Sequence, residues 1–138
     1  MKDVLGLNEQ MIEGIYGQAF RLYNTGKYKE ASQLFRLLIV LNSSDPKYVM
    51  GLAACLHMMK EYMAAAELYT LCSFLDPRSP IPGYHASDCY IALGDRSSAI
   101  AVLEMAVARS NQRSEYSQLK DRALLTIASL QQELSAST

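Results

Sequence analysis

The chain repeats itself every 34 residues, and that interval constrains its fold more than any other feature. LYNTGKYKEASQLF (22–35), LHMMKEYMAAAELY (56–69) and IALGDRSSAIAVL (91–103) fall into one register. In steps of 34, Gly26 meets Lys60 and Gly94, and Tyr28 meets Tyr62 and Arg96. Ala31, Ala65 and Ala99 coincide, and Phe35, Tyr69 and Leu103 supply one large apolar residue each time. Small residues coincide upstream as Ala19, Ala53 and Ser87. A single match carries little weight, but together at one fixed spacing they define three copies of one unit.

Each unit holds two blocks in which apolar residues recur at three and four positions, the mark of an amphipathic helix. The second helix of the first unit carries the stripe Ala31, Leu34, Phe35 and Leu38, and that of the second carries Ala65, Leu68, Tyr69 and Cys72. Gly26 and Gly94 stand where the first helix of a pair must end in left-handed backbone, which glycine adopts without a Cβ penalty. Lys60 takes that position in the middle unit, at an expected cost of ~1 kcal/mol. The small alanines let paired helices approach, and the large residue four positions on fills the facing groove. Asp45-Pro46 and Ser79-Pro80 each put a capping side chain before a proline at the start of a helix. These signals predict helices over about 9–24, 28–41, 46–58, 62–75, 80–93 and 96–109. A seventh over about 114–134, with Leu119, Ala123, Leu124, Ile127 and Leu130, is expected to cover the edge of the third pair.

Helix pairs of this length with a Gly-x-Tyr-x-x-Ala-x-x-x-Phe core resemble the tetratricopeptide repeat (TPR). The fold class is therefore all-α: three tandem TPR helix pairs in a right-handed superhelical arc, plus a C-terminal capping helix. The domain reading is a short segment at 1–11, a single TPR domain at 12–134 and a disordered tail at 135–138. The repeats span about 12–45, 46–79 and 80–113, and the cap 114–134. Gln18, Lys60 and Arg96 depart from the repeat pattern at single positions.

In such an arc the first helix of each pair lines the concave face. There Tyr16, Phe20 and Tyr23 recur at spacings of four and three, while Ile15, Ala19 and Leu22 form a neighbouring stripe able to face the partner helix. The aromatic stripe is thereby left for the concave side, where large rings make shallow apolar pockets suited to an extended peptide. Packing in the core is the competing use for such a stripe. Tyr28 and Tyr62, at the start of second helices, read as packing residues.

A sharper likeness lies in the order of the repeats. EGIYGQAFRLYNTGKYKEASQLF, YVMGLAACLHMMKEYMAAAELY and LDPRSPIPGYHASDCYIALGDRSSA resemble the class II (translocator) chaperones of bacterial type III secretion systems. The shared marks are the Tyr-x-x-x-Phe-x-x-Tyr triplet, the Gly-Leu-x-x-Cys stretch and the Pro-x-x-His-Ala-x-x-Cys stretch, in that order. The resemblance implies a chaperone that keeps hydrophobic, pore-forming translocator proteins soluble in the bacterial cytoplasm until export. It implies that the concave groove holds an extended N-terminal segment of the cargo, anchored by prolines and leucines in a Pro-x-Leu-x-x-Pro type of motif. Carried over by position, the cargo-binding residues are Tyr16, Phe20 and Tyr23 in the first repeat. Met50, Ala54 and His57, with Met58 beside them, follow in the second, and Tyr84, Asp88 and Ile91 in the third. It also implies homodimers formed through the segment ahead of the first repeat. Here that segment is residues 1–11, with Val4, Leu5 and Leu7 apolar. The alternative function is a general TPR adaptor reading a short peptide in a larger assembly, and neighbouring secretion genes would separate the two.

Composition fits a binding protein and excludes several other classes. The net charge is −1 with no run of lysine and arginine, which argues against a nucleic-acid or anionic-membrane surface. The N-terminus shows no apolar signal-peptide core, and the longest apolar run is far short of a membrane span, so no insertion in a bilayer is expected. Cys55, Cys72 and Cys89, without a CxxC pair, read as free thiols of a reducing compartment. His85-x-x-Asp88-Cys89 brings together groups that could form a nucleophile relay or metal site. Yet Cys55 and Cys89 share one repeat position, which suits a small packing residue better than a reactive one. No phosphate loop, metal-ligand spacing or nucleophile elbow accompanies them. The expectation is no enzyme activity, no metal and no cofactor.

Overall fold

In the computed structural model, residues 8–137 are described. Val4, Leu5 and Leu7, the apolar residues of the expected dimerisation segment, lie outside the described residues. The helices are α1 (Glu9–Asn24), α2 (Tyr28–Leu41), α3 (Pro46–Met58), α4 (Tyr62–Leu75), α5 (Ile81–Ala92), α6 (Arg96–Ser110) and α7 (Ser117–Ala136), with a 3-10 turn at Ser114–Tyr116 before the last. No strand occurs among the described residues. Each helix packs against the next in chain order, and α1 also touches α3, so that three pairs stack and α7 closes the end on α6.

The repeat positions explain how the pairs seat. Ala31, Ala65 and Ala99 are fully buried, as are Ala19 and Ala53, and Ser87 is nearly so. A larger side chain at these points would hold the helices apart. Phe35, Tyr69 and Leu103, four residues on, are buried as well. The turns within pairs are equally regular, for Gly26 (φ +82), Lys60 (φ +64) and Gly94 (φ +77) all adopt left-handed backbone. At each, the following residue donates its N–H to a carbonyl five residues back: Lys27 to Leu22, Glu61 to Leu56, and Asp95 to Tyr90. Lys60 thus keeps the turn that glycine makes more easily.

Caps set the helix starts. The Asp45 carboxylate accepts from the Lys47 N–H at 3.0 Å, and the Asp95 carboxylate from the Ser98 N–H at 3.1 Å. The Ser79 hydroxyl accepts from the Ile81 N–H at 3.2 Å, so α5 begins one residue after Pro80 rather than on it. At the other end α7 runs on through Ser135 to Ala136, where a disordered tail was expected; the Ser137 N–H still bonds to the Glu133 carbonyl. Thr138 lies outside the described residues.

Arginine side chains tie neighbouring units together, Arg113 among them through the Arg78 carbonyl. Arg109 of α6 donates to the Ser73 carbonyl (3.1 Å), the Ser73 hydroxyl (2.8 Å) and the Ser79 carbonyl (3.1 Å), closing the end of α4 and the loop after it. Arg96, which stands where the first two repeats have tyrosine, donates its Nε–H to Glu133 of α7 at 2.7 Å. The departure from the repeat pattern is a link to the capping helix.

Candidate peptide-binding groove

The first helix supplies an aromatic wall. Tyr16, Phe20 and Tyr23 lie on one face of α1, and with Phe35 of α2 and Lys47, Met50, Gly51 and Ala54 of α3 they line an open cavity of about 270 Å³. Tyr16 holds the cluster together, its ring meeting Phe20 (5.6 Å), Phe35 (6.2 Å) and Tyr48 (5.6 Å) edge to face. Phe20 is 47% exposed, so much of its ring awaits a contact. Tyr23 is half-buried and braced by Tyr28 at 5.4 Å, which gives Tyr28 the packing role expected of it. Burial raises the phenol pKa of both Tyr16 and Tyr23 above the ordinary value, so the lining tyrosines stay neutral.

The floor of the cavity exists because residue 51 is glycine. A Cβ there would lie 2.3 Å from Cε1 of the buried Phe35 ring. Lys47, Met50, Gly51 and Ala54 are spaced at i, i+3, i+4 and i+7, one face of α3 turned toward the aromatic wall.

The corresponding place between the second and third repeats is filled. Residues 69 and 85 lie 34 positions after 35 and 51, and there the Tyr69 ring stacks on His85 with centroids 5.6 Å apart. The Tyr69 hydroxyl and His57 Nδ1 share a hydrogen bond of 3.0 Å, and His57 also meets Tyr62 edge-on. Burial raises the Tyr69 phenol pKa strongly and lowers that of His85, against an upward pull from Asp88.

The structure thus brings five of the nine residues expected to bind cargo, Tyr16, Phe20, Tyr23, Met50 and Ala54, into one cavity. His57 is drawn to Tyr69 instead. Tyr84 packs against the cluster of Ala99, Leu103 and Ala123 that joins the third repeat to α7, while Asp88 and Ile91 remain exposed; none of the three lines the cavity. Phe35, Lys47 and Gly51 complete it without having been singled out as binding residues. For Lys47 and Gly51 the helical spacing from Met50 was the available signal.

The cysteines lack the surroundings of a nucleophile. Cys55, Cys72 and Cys89 are buried, and burial pushes each thiol pKa up to about 11, which keeps it protonated near neutrality. Cys55 and Cys89 sit in one repeat slot as fully buried packing residues.

Known proteins share both fold and sequence. The Yersinia enterocolitica type III secretion translocator chaperone SycD superposes with a TM-score of 0.87 at 26% identity, covering 94% of this chain and 89% of SycD. The chaperone protein SicA of Salmonella typhimurium is 30% identical over 130 residues, 94% of this chain and 76% of SicA. The chain belongs to the family of type III secretion translocator chaperones. Another translocator chaperone of this shape, PcrH of Pseudomonas aeruginosa bound to the chaperone-binding region of PopD, superposes with a TM-score of 0.87 at 28% identity, over 93% of this chain and 96% of PcrH. Residues 24–106 also match the family described as anaphase-promoting complex, cyclosome, subunit 3. That match runs from the end of α1 into α6, whereas the translocator chaperones match over nearly the whole chain. No helix among the described residues is long and apolar enough to cross a membrane.

Proposed function

We propose that this chain holds an extended, apolar segment of a hydrophobic type III translocator in the cavity between α1 and α3, keeping the translocator soluble and export-competent in the bacterial cytoplasm. The observation that carries this reading is the open aromatic cavity, whose lining presents mostly apolar surface and a half-exposed Phe20. Such a surface suits proline and leucine side chains of an extended peptide, because flat rings offer large contact area at small conformational cost. Relatives of the same shape have been solved with such cargo: SycD with a peptide of the translocator YopD, and PcrH with the chaperone-binding regions of PopD and PopB. A role in binding rather than catalysis fits the buried, protonated thiols. The third-repeat residues Tyr84, Asp88 and Ile91 are proposed as a continuation of the same path beyond the cavity.

The test is co-expression with a hydrophobic type III translocator from the same organism. The translocator is expected to stay in the soluble fraction and to co-purify with this protein. Equal aggregation with and without the chain would overturn the reading.

A further inference from the structure

Lys47 stands between two cavities. Besides the aromatic one, a second cavity of about 220 Å³ opens where α3, the end of α4 and the start of α5 meet, against Pro46, Cys72, Ile81 and Pro82. Only Lys47 and Met50 line both. A segment leaving the aromatic cavity for the second one must pass over this saddle.

At that point the surface carries a charge. Among the residues lining the aromatic cavity, Lys47 alone is charged at neutral pH. Its ammonium lies 5.0 Å from the centroid of Tyr16 and 5.4 Å from that of Tyr48, over the rings that form the wall. Its ion pair is a weak one: Asp45 Oδ2 is 3.9 Å away, and Oδ1 of the same carboxylate is held by the Lys47 backbone N–H as the cap of α3. The Lys47 side chain is 48% exposed, so this pair is screened by water. An ammonium has three N–H donors. With Asp45 fixed by the cap, donors remain for a second carboxylate arriving from the groove.

The geometry points to Lys47 as a specificity-determining residue that selects an aspartate or glutamate in the bound segment, beside the apolar side chain seated in the aromatic cavity. This rests on the cargo reading above and adds a charge rule to it. The apolar cavity accepts any side chain of suitable size, whereas a fixed cation at its lip separates segments by sign. A carboxylate held there replaces water on a partly desolvated ammonium, and a lysine or arginine at that position meets repulsion. The preference is confined to the saddle, because the second cavity is bordered by Asp76.

The probe is a panel of fluorescein-labelled nonapeptides carrying the Pro-x-Leu-x-x-Pro anchors, with Asp, Asn or Lys placed in turn at each variable position. Binding to the full chain is followed by fluorescence anisotropy. At one variable position Asp is expected to bind roughly two- to fivefold tighter than Asn, and Lys weaker than Asn. That preference should survive in Lys47→Arg, vanish in Lys47→Met, whose chain still covers Tyr16, and invert toward Lys in Lys47→Glu. It should also shrink at about 0.5 M salt, where exposed charges are screened. Binding by the wild type with no charge preference would overturn the inference and leave the groove reading standing. A uniform loss for all peptides in Lys47→Met would show a packing residue only, overturning it too. If no anchored peptide binds the wild type, the groove reading fails and the charge rule falls with it.

Discussion

The seam between the first and second repeats and the seam between the second and third are built from equivalent positions and come out opposite in character. At the first, Phe35 lies against Gly51, and the missing side chain leaves space that becomes the aromatic cavity. At the second, Tyr69 lies against His85, the imidazole stacks on the ring, and His57 completes a polar contact. The open apolar seam and the closed polar one differ at Gly51 against His85, and also at Phe35 against Tyr69 and Tyr23 against His57. Repeat folds can therefore localise a binding site without changing their backbone plan. The site is opened where that slot holds a glycine directly against a buried ring, Gly51 against Phe35.

The largest effect should come from adding atoms to the open seam. Gly51→Ala forces a Cβ into the Phe35 ring, and overpacking of this kind costs about 1–3 kcal/mol. Gly17 is the equivalent position one repeat earlier, and a Cβ there meets nothing within 4 Å. Gly17→Ala should then stabilise the chain by about 0.5–1 kcal/mol through helix propensity alone. Urea denaturation of the two variants gives the comparison directly, and equal shifts would mean that Gly51 is not needed for the cavity floor.

A smaller effect is expected at the closed seam, and it depends on pH. Burial holds the His85 imidazole pKa below its ordinary 6.5, with Asp88 pulling up and His57 pushing down. Between the unfolded value near 6.5 and the lower folded value, the unfolded chain binds more protons than the folded one. Stability from this group is thus complete above about pH 6.5 and is lost as the pH falls toward the folded value. Melting temperatures between about pH 7.5 and 5.5 should decline less steeply for His85→Gln than for the wild type. Parallel slopes would show that His85 carries no such linkage.

Much of this was legible in the sequence, because it depends on short-range rules. Helix ends follow from caps, prolines and left-handed turns, and all seven helices lie within a few residues of the predicted spans, with Lys60 in the left-handed backbone assigned to it. The aromatic face of α1 was likewise readable from spacing alone. Other features required distances that a repeat pattern does not encode. Arg96 breaks the pattern because its partner, Glu133, belongs to the capping helix outside the repeat. Tyr84 occupies the position equivalent to Tyr16 but turns into the cluster shared with α7, which has no counterpart at the first repeat. Gly51 stands in the sequence as the first residue of the Gly-Leu-x-x-Cys stretch, but its use becomes visible only with Phe35 above it.

The central claim is that the cavity between α1 and α3 is where cargo binds, and the most direct measurement fills it. Tyr16 and Tyr23 both pack against the core, so removing them disturbs the fold as well as the surface. Ala54 is half-buried on the cavity wall, and Ala54→Phe adds a ring to the space a cargo side chain would take. Affinity for a peptide carrying the Pro-x-Leu-x-x-Pro anchors should be measured by calorimetry alongside circular dichroism. The account predicts a loss of roughly tenfold or more in affinity, with helical content unchanged. Undiminished binding with the cavity filled would contradict it.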